Sequence, residues 1–352
     1  MRVAVTGATG NLGTSVLAAL CDEPAVEEIV GIARRRPVHP VEKVRWVSAD
    51  VATDDLSPTF AGADVVIHLA WLIQPSRDPQ TTWATNVLGT SRVFQAAAGA
   101  GVQAIVYSSS VGAYSAGPKD HPVDESWPTN GVPTSTYSRE KAYVERILDT
   151  FEMRNPEIRV IRLRPGFVLK RSAASEIRRL FAGPFLPTPL LRPDFIPLVP
   201  RLPQLRFQTV HSLDVGQAFR LAALRADARG AFNVAAEPPI GPDELAALFH
   251  ARPVPVPAWL LRKLAAFAWR TRLVPTEPGM VDLLLAVPLM DTTRVRNELG
   301  WRPTHSASDA LLELLGGMRD GAGADTPPLH PGDGVAGRLS ELGTGVGAKD
   351  RR

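Results

Sequence analysis

The two side chains best suited to chemistry are a tyrosine and a lysine four residues apart, in the segment Tyr137-Ser-Arg-Glu-Lys141. On a helix, residues at this spacing share one face. We expect the lysine ammonium to stabilise the phenolate and so to lower the pKa of Tyr137 towards neutrality. Such a tyrosine can exchange a proton with a substrate hydroxyl or carbonyl while a hydride moves to or from a nicotinamide. The same spacing also occurs on ordinary surface helices, so the prediction depends on the elements around it.

A group of hydroxyls follows an apolar run at residues 104–108, which predicts a strand. Ser108 ends this run, and Ser110 comes two residues later. Ligands of open α/β sheets bind at the carboxyl ends of the strands. We therefore expect Ser108 and Ser110 to face the same cofactor site as Tyr137 and Lys141.

A glycine-rich turn opens the chain, directly after a first apolar run and before a helical pattern. Its glycines, Gly7, Gly10 and Gly13, are spaced by three residues and enclose Asn11 and Leu12. This spacing permits a tight turn, close approach of the backbone to a pyrophosphate and tight helix–strand packing. The helix N-terminus adds free N–H groups and a partial positive charge. We predict that this turn binds a dinucleotide.

The end of the second predicted strand indicates which dinucleotide is bound. NAD sites usually carry an acidic residue there, which accepts hydrogen bonds from the adenosine ribose. Here the strand is followed by three arginines, Arg34, Arg35 and Arg36. A guanidinium group matches phosphate geometry, so we favour NADP(H), with NAD(H) as the alternative cofactor. The arginines could instead form only a solvated basic loop.

The first half of the chain alternates short apolar runs with longer helical patterns, which is typical of a parallel sheet built from strand–helix–strand units. We predict strands at 2–6, 29–33, 44–48, 65–69, 104–108 and 160–163, and helices at 12–20, 85–98 and 138–151. The fold class is therefore α/β, a Rossmann-type doubly wound parallel sheet. We assign 1–165, with some later segments, to the dinucleotide-binding domain. Residues 166–318, irregular and proline-rich near their start, form a smaller substrate lobe, and 319–352 a disordered tail.

The bulk composition excludes several other classes of protein. The 352 residues carry a formal charge of +3 without a basic stripe, so no nucleic-acid partner is expected. With a single cysteine, Cys21, no intramolecular disulfide or cysteine zinc cluster can form, and no metal site is predicted. No secretory signal or membrane-spanning run is visible, and we expect a cytoplasmic protein.

One segment, 257–272, has the pattern of a basic amphipathic helix. It interleaves Trp259, Leu264 and Phe267 with Arg262 and Lys263. Such a helix can lie on a membrane surface. More commonly it packs its apolar face against its own domain, and we expect that arrangement here.

Taken together, these motifs resemble the extended short-chain dehydrogenase/reductases, also called the NAD-dependent epimerase/dehydratase family. The resemblance covers about residues 1–315. The matching pieces, in order, are TGATGNLG, Asp50-Val51, His68-Leu-Ala, Asn86-Val-Leu-Gly-Thr, SSSVGAY, Tyr137-Ser-Arg-Glu-Lys141, Leu163-Arg-Pro-Gly166 and Asp291-Thr-Thr-Arg.

The resemblance implies roles for individual residues. Ser110 would orient the substrate oxygen, Tyr137 would be the acid/base, and Lys141 would also hold the nicotinamide ribose. Asn86 matches a cofactor-site position, although an asparagine satisfying backbone groups is an equal alternative. The implied cofactor-binding set is completed by Asp50 and Val51 at the adenine, and by Leu69, Ala70, Ser108 and Pro165. Members of the family dimerise through two helices, here 85–98 and 138–151, so a homodimer is a further expectation.

Departures from the family pattern narrow the chemistry. Sugar-nucleotide dehydratases carry an Asp–Glu pair where this chain has Val111 and Gly112, and 4-epimerases often carry an asparagine where it has Arg164. The apolar second lobe offers no obvious polar set for a nucleotide diphosphate. We favour hydride transfer between NADP(H) and a small or apolar carbonyl or alcohol substrate. A sugar-nucleotide epimerase or reductase is the alternative, and a non-catalytic dinucleotide-sensing protein comes third.

Overall fold

The computed structural model describes residues 1–331 and residue 346. Its strands are β1 (Arg2–Thr6), β2 (Glu28–Ala33), β3 (Val44–Ser48), β4 (Val65–His68), β5 (Ala104–Ser108), β6 (Pro122–Val123), β7 (Arg159–Pro165), β8 (Phe167–Leu169), β9 (Leu198–Arg201), β10 (Thr209–His211), β11 (Gly230–Val234), β12 (Arg252–Pro255) and β13 (Leu289–Met290).

The α-helices are distributed between and after these strands. They are α1 (Asn11–Cys21), α2 (Ser57–Phe60), α3 (Pro79–Trp83), α4 (Thr90–Gly99), α5 (Thr136–Arg154), α6 (Ala174–Ile177), α7 (Ser212–Leu224), α8 (Pro242–Leu248), α9 (Ala258–Arg270), α10 (Gly279–Ala286), α11 (Thr293–Glu298) and α12 (Ala307–Asp320). A π-helical segment, Ala84–Gly89, joins α3 to α4.

Seven strands form one parallel sheet in the order β11-β7-β5-β4-β1-β2-β3. The chain reverses direction across the sheet between β1 and β4, so the carboxyl ends of these two strands flank the switch point where ligands of such sheets bind. Apart from β3, these strands are buried along most of their length, as strands rich in Val and Ile and covered on both faces should be. The predicted Rossmann-type α/β fold is confirmed.

Two apolar layers cover the sheet. On one face α1 and α7 pack on β1, β4 and β5 around Val16, Phe219 and Trp301. On the other face α4 and α5 pack around Phe94, Tyr107 and Leu148. Helix α5 carries the predicted tyrosine and lysine, so burial of this second layer fixes their position relative to β5.

Later parts of the chain return to the sheet. Strand β11 pairs with β7 at the edge, with Ala231 opposite Arg162 and Val234 opposite Pro165. The remaining strands after residue 165 form short two-stranded pairs, β8 with β10, β9 with β12 and β13 with β6. Strand β9 and helices α8 to α10 share an apolar cluster of their own, and with β12 they form the smaller lobe.

The segment after α12 differs in part from the expected disorder. Residues 321–331 are placed, and Leu329 is fully buried. The Thr326 hydroxyl donates to the Thr9 carbonyl in the glycine-rich turn at 2.8 Å. Sequence patterns do not predict this placement, because Leu329 is the only large apolar residue among residues 321–331. Residues 332–345 and 347–352 of the predicted tail lie outside the described residues.

Candidate active site

The glycine-rich turn has the tight geometry that a dinucleotide requires. Gly7 has a φ of +70°, and a Cβ there would lie 2.7 Å from the backbone nitrogen of Ala70. A Cβ on Gly13 would lie 2.2 Å from the Gly7 carbonyl oxygen. Gly10 is the N-cap of α1, without a side-chain cap and without an acidic residue in the first turn. The helix N-terminus therefore keeps its partial positive charge for an anion.

Side chains around the start of α1 also fit a dinucleotide. The Asn11 amide nitrogen donates to the Val168 carbonyl at 3.1 Å, while its side-chain oxygen is buried and unpartnered among the described residues. Lys170 donates from below to the Asn11 carbonyl, Thr14 and Ser15 at 2.6, 2.6 and 3.0 Å. Leu12 packs into the apolar layer beneath. These contacts hold the first turn of α1 rigid.

The adenine-side residues lie where the sequence predicts, at the carboxyl ends of β2 and β3. Arg34 and Arg35 follow β2 and are exposed. Asp50 follows β3 and accepts a hydrogen bond from the Ala52 nitrogen through its side chain. Val51 is buried. These two strand ends can therefore hold an adenosine and, through the arginines, a 2′-phosphate.

Asn86, predicted either for the cofactor site or for satisfying backbone groups, makes contacts of the second kind. Its amide oxygen accepts from the Leu72 nitrogen at 2.7 Å, and its amide nitrogen donates to the Leu72 carbonyl and to the Glu140 carboxylate at 2.8 and 2.7 Å. Thr82 donates to the same carboxylate. Asn86 thus ties the loop after β4 to α5. The π-helical segment places it there, which helical periodicity could not predict.

Ser110, Tyr137 and Lys141 converge beside the carboxyl end of β5. Ser110 accepts a hydrogen bond from the Gly112 nitrogen at 3.0 Å. The start of α5 is capped by Ser135, which accepts from the Ser138 nitrogen, and Ser138 in turn donates to the Gly112 carbonyl at 2.6 Å. These bonds fix the tyrosine against residues 109–114, the loop after β5 that we call the serine loop.

The charges at this centre differ from the expectation. Burial raises the pKa of Tyr137 to about 12, although its hydrogen-bond partner Ser110 acts to lower it. Lys141 donates to the Ser108 carbonyl at 2.7 Å, and its ammonium lies 5.9 Å from the centre of the Tyr137 ring. Burial also lowers the pKa of Lys141 well below its ordinary value. The expected lowering of the Tyr137 pKa towards neutrality is therefore wrong, because burial is the largest influence on this phenol.

One aromatic residue of the centre is absent from the sequence predictions. The Trp71 ring lies over the Lys141 ammonium, 3.5 Å from nitrogen to ring centre, and meets the Tyr137 ring edge-on at 5.9 Å. Its indole nitrogen is buried without a partner among the described residues. The signal in the sequence was its place directly after Leu69 and Ala70, where the fourth strand ends.

Arg164 lies away from the reacting groups. It donates to both oxygens of Glu145 at 3.0 and 3.1 Å and to the Tyr114 hydroxyl at 2.9 Å. Glu145 also accepts from Ser109 at 2.6 Å. The presence of Arg164, where epimerases often have an asparagine, therefore carries no information about the substrate. Its side chain belongs to a buried network that joins β7, α5 and the serine loop.

The arrangement of these motifs is shared with a known protein family. Residues 3–175 match the NAD dependent epimerase/dehydratase family. Residues 3–175 therefore contain a domain of this family. The match covers every motif of the sequence resemblance except Asp291-Thr-Thr-Arg, which lies beyond it.

Curated relatives of this chain are distant. An uncharacterised protein of Mycobacterium tuberculosis is 27% identical over 321 residues, covering 91% of this chain and 30% of that protein. The chain thus spans less than a third of that relative. The UDP-glucose 4-epimerase of Mycolicibacterium smegmatis is 33% identical over 164 residues, covering 43% of this chain and 51% of that protein.

Solved structures of the family share the fold. The chain superposes on MoeE5, solved with UDP-glucose and NAD, with a TM-score of 0.66 at 20% identity, covering 91% of this chain and 99% of that one. The NAD complex of the Thermus thermophilus UDP-glucose 4-epimerase gives a TM-score of 0.65 at 19% identity, with the same coverage.

A cavity opens beside Tyr137. The loop after β4 contributes one wall and the start of α5 another, and the segment before α10 closes the far side. Its lining residues are Leu72, Ile73, Gln74, Ser76, Thr82, Thr136, Tyr137, Glu140, Phe181, Thr276, Glu277 and Met280. Glu277 accepts from the Thr136 nitrogen at 2.7 Å and so joins the second lobe to α5. The lining carries carboxylates but no arginine or lysine.

Proposed function

We propose that the chain transfers hydride between NADP(H) and a small or apolar carbonyl or alcohol substrate, with Tyr137 as the acid/base. The observation that carries this proposal is the convergence of Ser110, Tyr137 and Lys141 after the carboxyl end of β5, with a cavity opening beside Tyr137. The nicotinamide supplies the hydride or accepts it when bound. Tyr137 gives or takes the proton of the substrate oxygen, Ser110 orients that oxygen, and Lys141 holds the ribose.

The lining of the cavity supports a substrate without phosphates. Leu72, Ile73, Phe181 and Met280 provide apolar surface, and the charged groups are carboxylates. A nucleotide diphosphate would be repelled by these carboxylates, and the lining contains no lysine or arginine to pair with its phosphates. A neutral carbonyl or alcohol meets neither obstacle.

Replacing Tyr137 with Phe tests the proposed chemistry. The ring and its packing stay, but the proton donor is lost, so turnover should fall by ~10²–10⁴-fold while dinucleotide binding survives. The assay is NADPH consumption with a panel of aldehydes and ketones. Tyr143→Phe on the same helix is the matched control, because Tyr143 is 49% exposed, and it should keep full activity. An unchanged rate for Tyr137→Phe would remove Tyr137 as the acid/base.

A sugar-nucleotide epimerase is the second candidate, and the relationship to the Mycolicibacterium UDP-glucose 4-epimerase favours it. Interconversion of UDP-glucose and UDP-galactose without added NADPH, followed by chromatography, decides between the two. Conversion by the unmodified chain, lost in Tyr137→Phe, would replace the carbonyl-reductase proposal.

A homodimer through α4 and α5 is a further proposal. The two helices border a surface groove that contains Phe94, Tyr143 and Ile147, and Trp83 packs against Tyr143 at 4.9 Å between ring centres. Sedimentation velocity should give twice the monomer mass, and Tyr143→Glu should return the monomer.

A further inference from the structure

Helix α9 lies on the surface of the smaller lobe, where it buries none of its residues. Ala258 and Leu261 contact the apolar cluster of the lobe. Trp259, Leu264 and Phe267 are 59%, 57% and 62% exposed. The expected packing of this amphipathic helix on its own domain is therefore only partial, because Leu261 faces the cluster while Trp259, Leu264 and Phe267 face outward.

The charge on the same helix has one sign. The segment 257–272 contains four cations and no acidic residue. Arg262 is paired with Asp282, whereas Lys263, Arg270 and Arg272 form no ion pair with any residue that the structure describes. Lys263 lies 5.0 Å from the centre of the Trp259 ring. Trp259, Lys263, Phe267 and Arg270 follow one another at spacings of three or four, which places them on one face.

The exposed apolar surface continues into the neighbouring ribbon. Strand β12, which leads into α9, pairs in parallel with β9. Val254 on β12 and Leu198 on β9 are 37% and 57% exposed. Large exposed apolar surface flanked by cations is rare on a monomeric protein and marks an interaction site.

We propose that this face, formed by α9 with β9 and β12, docks on an anionic membrane surface. Three features together select this occupant. A lipid headgroup layer supplies the negative charge that the unpaired cations lack, Trp is the residue favoured at the headgroup boundary, and Leu264 and Phe267 can enter the acyl region. At 13 residues, α9 lies on the bilayer, and within the described residues no helix is long and apolar enough to cross one.

The docking face is connected to the cavity beside Tyr137. Trp269 near the end of α9 donates from its indole nitrogen to Ser76 at 3.2 Å, and Ser76 donates to the Pro275 carbonyl. Ser76 lines the cavity, and so does Thr276, the residue after Pro275. Trp269 therefore links helix α9 to one wall of the candidate active site.

Vesicle co-sedimentation of the full chain tests the proposal. The chain should pellet with vesicles of equal parts phosphatidylglycerol and phosphatidylcholine, should release as salt rises, and should stay in solution with phosphatidylcholine alone. Each cation near an anionic surface strengthens binding about fivefold, so Lys263→Gln with Arg270→Gln should weaken it ~25-fold. Phe267→Ser should also weaken it.

Matched controls and opposing outcomes keep the test sharp. Arg154→Gln with Met153→Ser changes an exposed cation and a 79% exposed apolar residue on α5, and this variant should bind as the unmodified chain does. Thermal melting checks that all variants fold. Absence of pelleting with the anionic vesicles, or equal binding by the Lys263/Arg270 variant, would overturn the proposal. Binding that appears only after the chain is truncated after residue 331 would also overturn it. A dimer that forms without vesicles and that Phe267→Ser converts to a monomer would overturn it as well.

Discussion

Replacing Glu145 with Gln should destabilise the chain far more than any surface exchange on the same helix. The Glu145 side chain is fully buried and pairs with Arg162 and Arg164, which are 7% and 5% exposed. After the exchange Arg162 keeps Asp149 and Glu152. Arg164 loses its only described carboxylate.

The expected loss is that of an uncompensated buried charge, ~3–5 kcal/mol in the free energy of unfolding. Asp149→Asn is the matched control. It removes another carboxylate from Arg162, but Asp149 is 47% exposed, so its loss should stay below ~1 kcal/mol. Replacing Glu145 with Leu and Arg164 with Met together should cost less than Glu145→Gln alone, because no buried charge is left unpaired.

The pH dependence adds an independent check. Burial raises the pKa of Glu145, but Arg164 and Arg162 outweigh it and hold the pKa at about 2, below the ordinary 4.5. A lowered carboxyl pKa stabilises the fold above pH 4.5, and this contribution is lost as pH falls towards 2. The deficit of Glu145→Gln should therefore be full at pH 7 and shrink below pH 4.5.

Urea unfolding followed by circular dichroism at pH 7 and pH 3.5 measures both effects. A deficit under ~1 kcal/mol at pH 7 would refute the reasoning. A deficit equal at both pH values would show that the buried carboxylate is not held ionised by the arginines.

Three further results are expected. Arg34→Ala with Arg35→Ala should weaken NADP(H) at least tenfold relative to NAD(H) in a titration, since charge-assisted contacts are lost; equal affinity of the unmodified chain for both would end the assignment. Ser110→Ala removes the hydrogen bond that lowers the Tyr137 pKa, so the ascending limb of the oxidation pH–rate profile, where Tyr137 becomes the phenolate base, should move to higher pH; an unmoved limb would speak against Tyr137 as that base. Gly13→Ala, whose Cβ would lie 2.2 Å from a carbonyl oxygen of the turn, should abolish dinucleotide binding by calorimetry, and retained affinity would contradict the tight turn.

Most strands of the sheet could be predicted from the sequence because they are short segments rich in Val and Ile. The predicted bounds 2–6, 44–48 and 104–108 are those of β1, β3 and β5. The spacing of Tyr137 and Lys141 likewise follows from local helix geometry. Such features need no knowledge of distant residues.

Other features depend on partners far along the chain and could not be read locally. The Arg164 side chain could face a substrate or a carboxylate, and only the packing of α5 against β7 brings Glu145 to it. The Tyr137 pKa depends on how completely the pocket is closed by Trp71 and its neighbours. The exposure of α9 depends on which of its side chains meet the apolar cluster of the smaller lobe, and that cluster is built from residues far from α9 in the sequence.

The late arrival of β11 and α7 has a consequence for synthesis on the ribosome. Helix α7 covers β1, β4 and β5 with Phe219 and Ala222, yet it is made about 200 residues after β1. Until α7 has emerged, only α1 covers this apolar face of the nascent sheet, and β7 remains an open edge until β11 follows. Exposed faces and edges of this kind bind chaperones and promote aggregation. We expect chains arrested before residue 212 to be retained by chaperones, and chains arrested well beyond residue 234 to be released as a protease-resistant core.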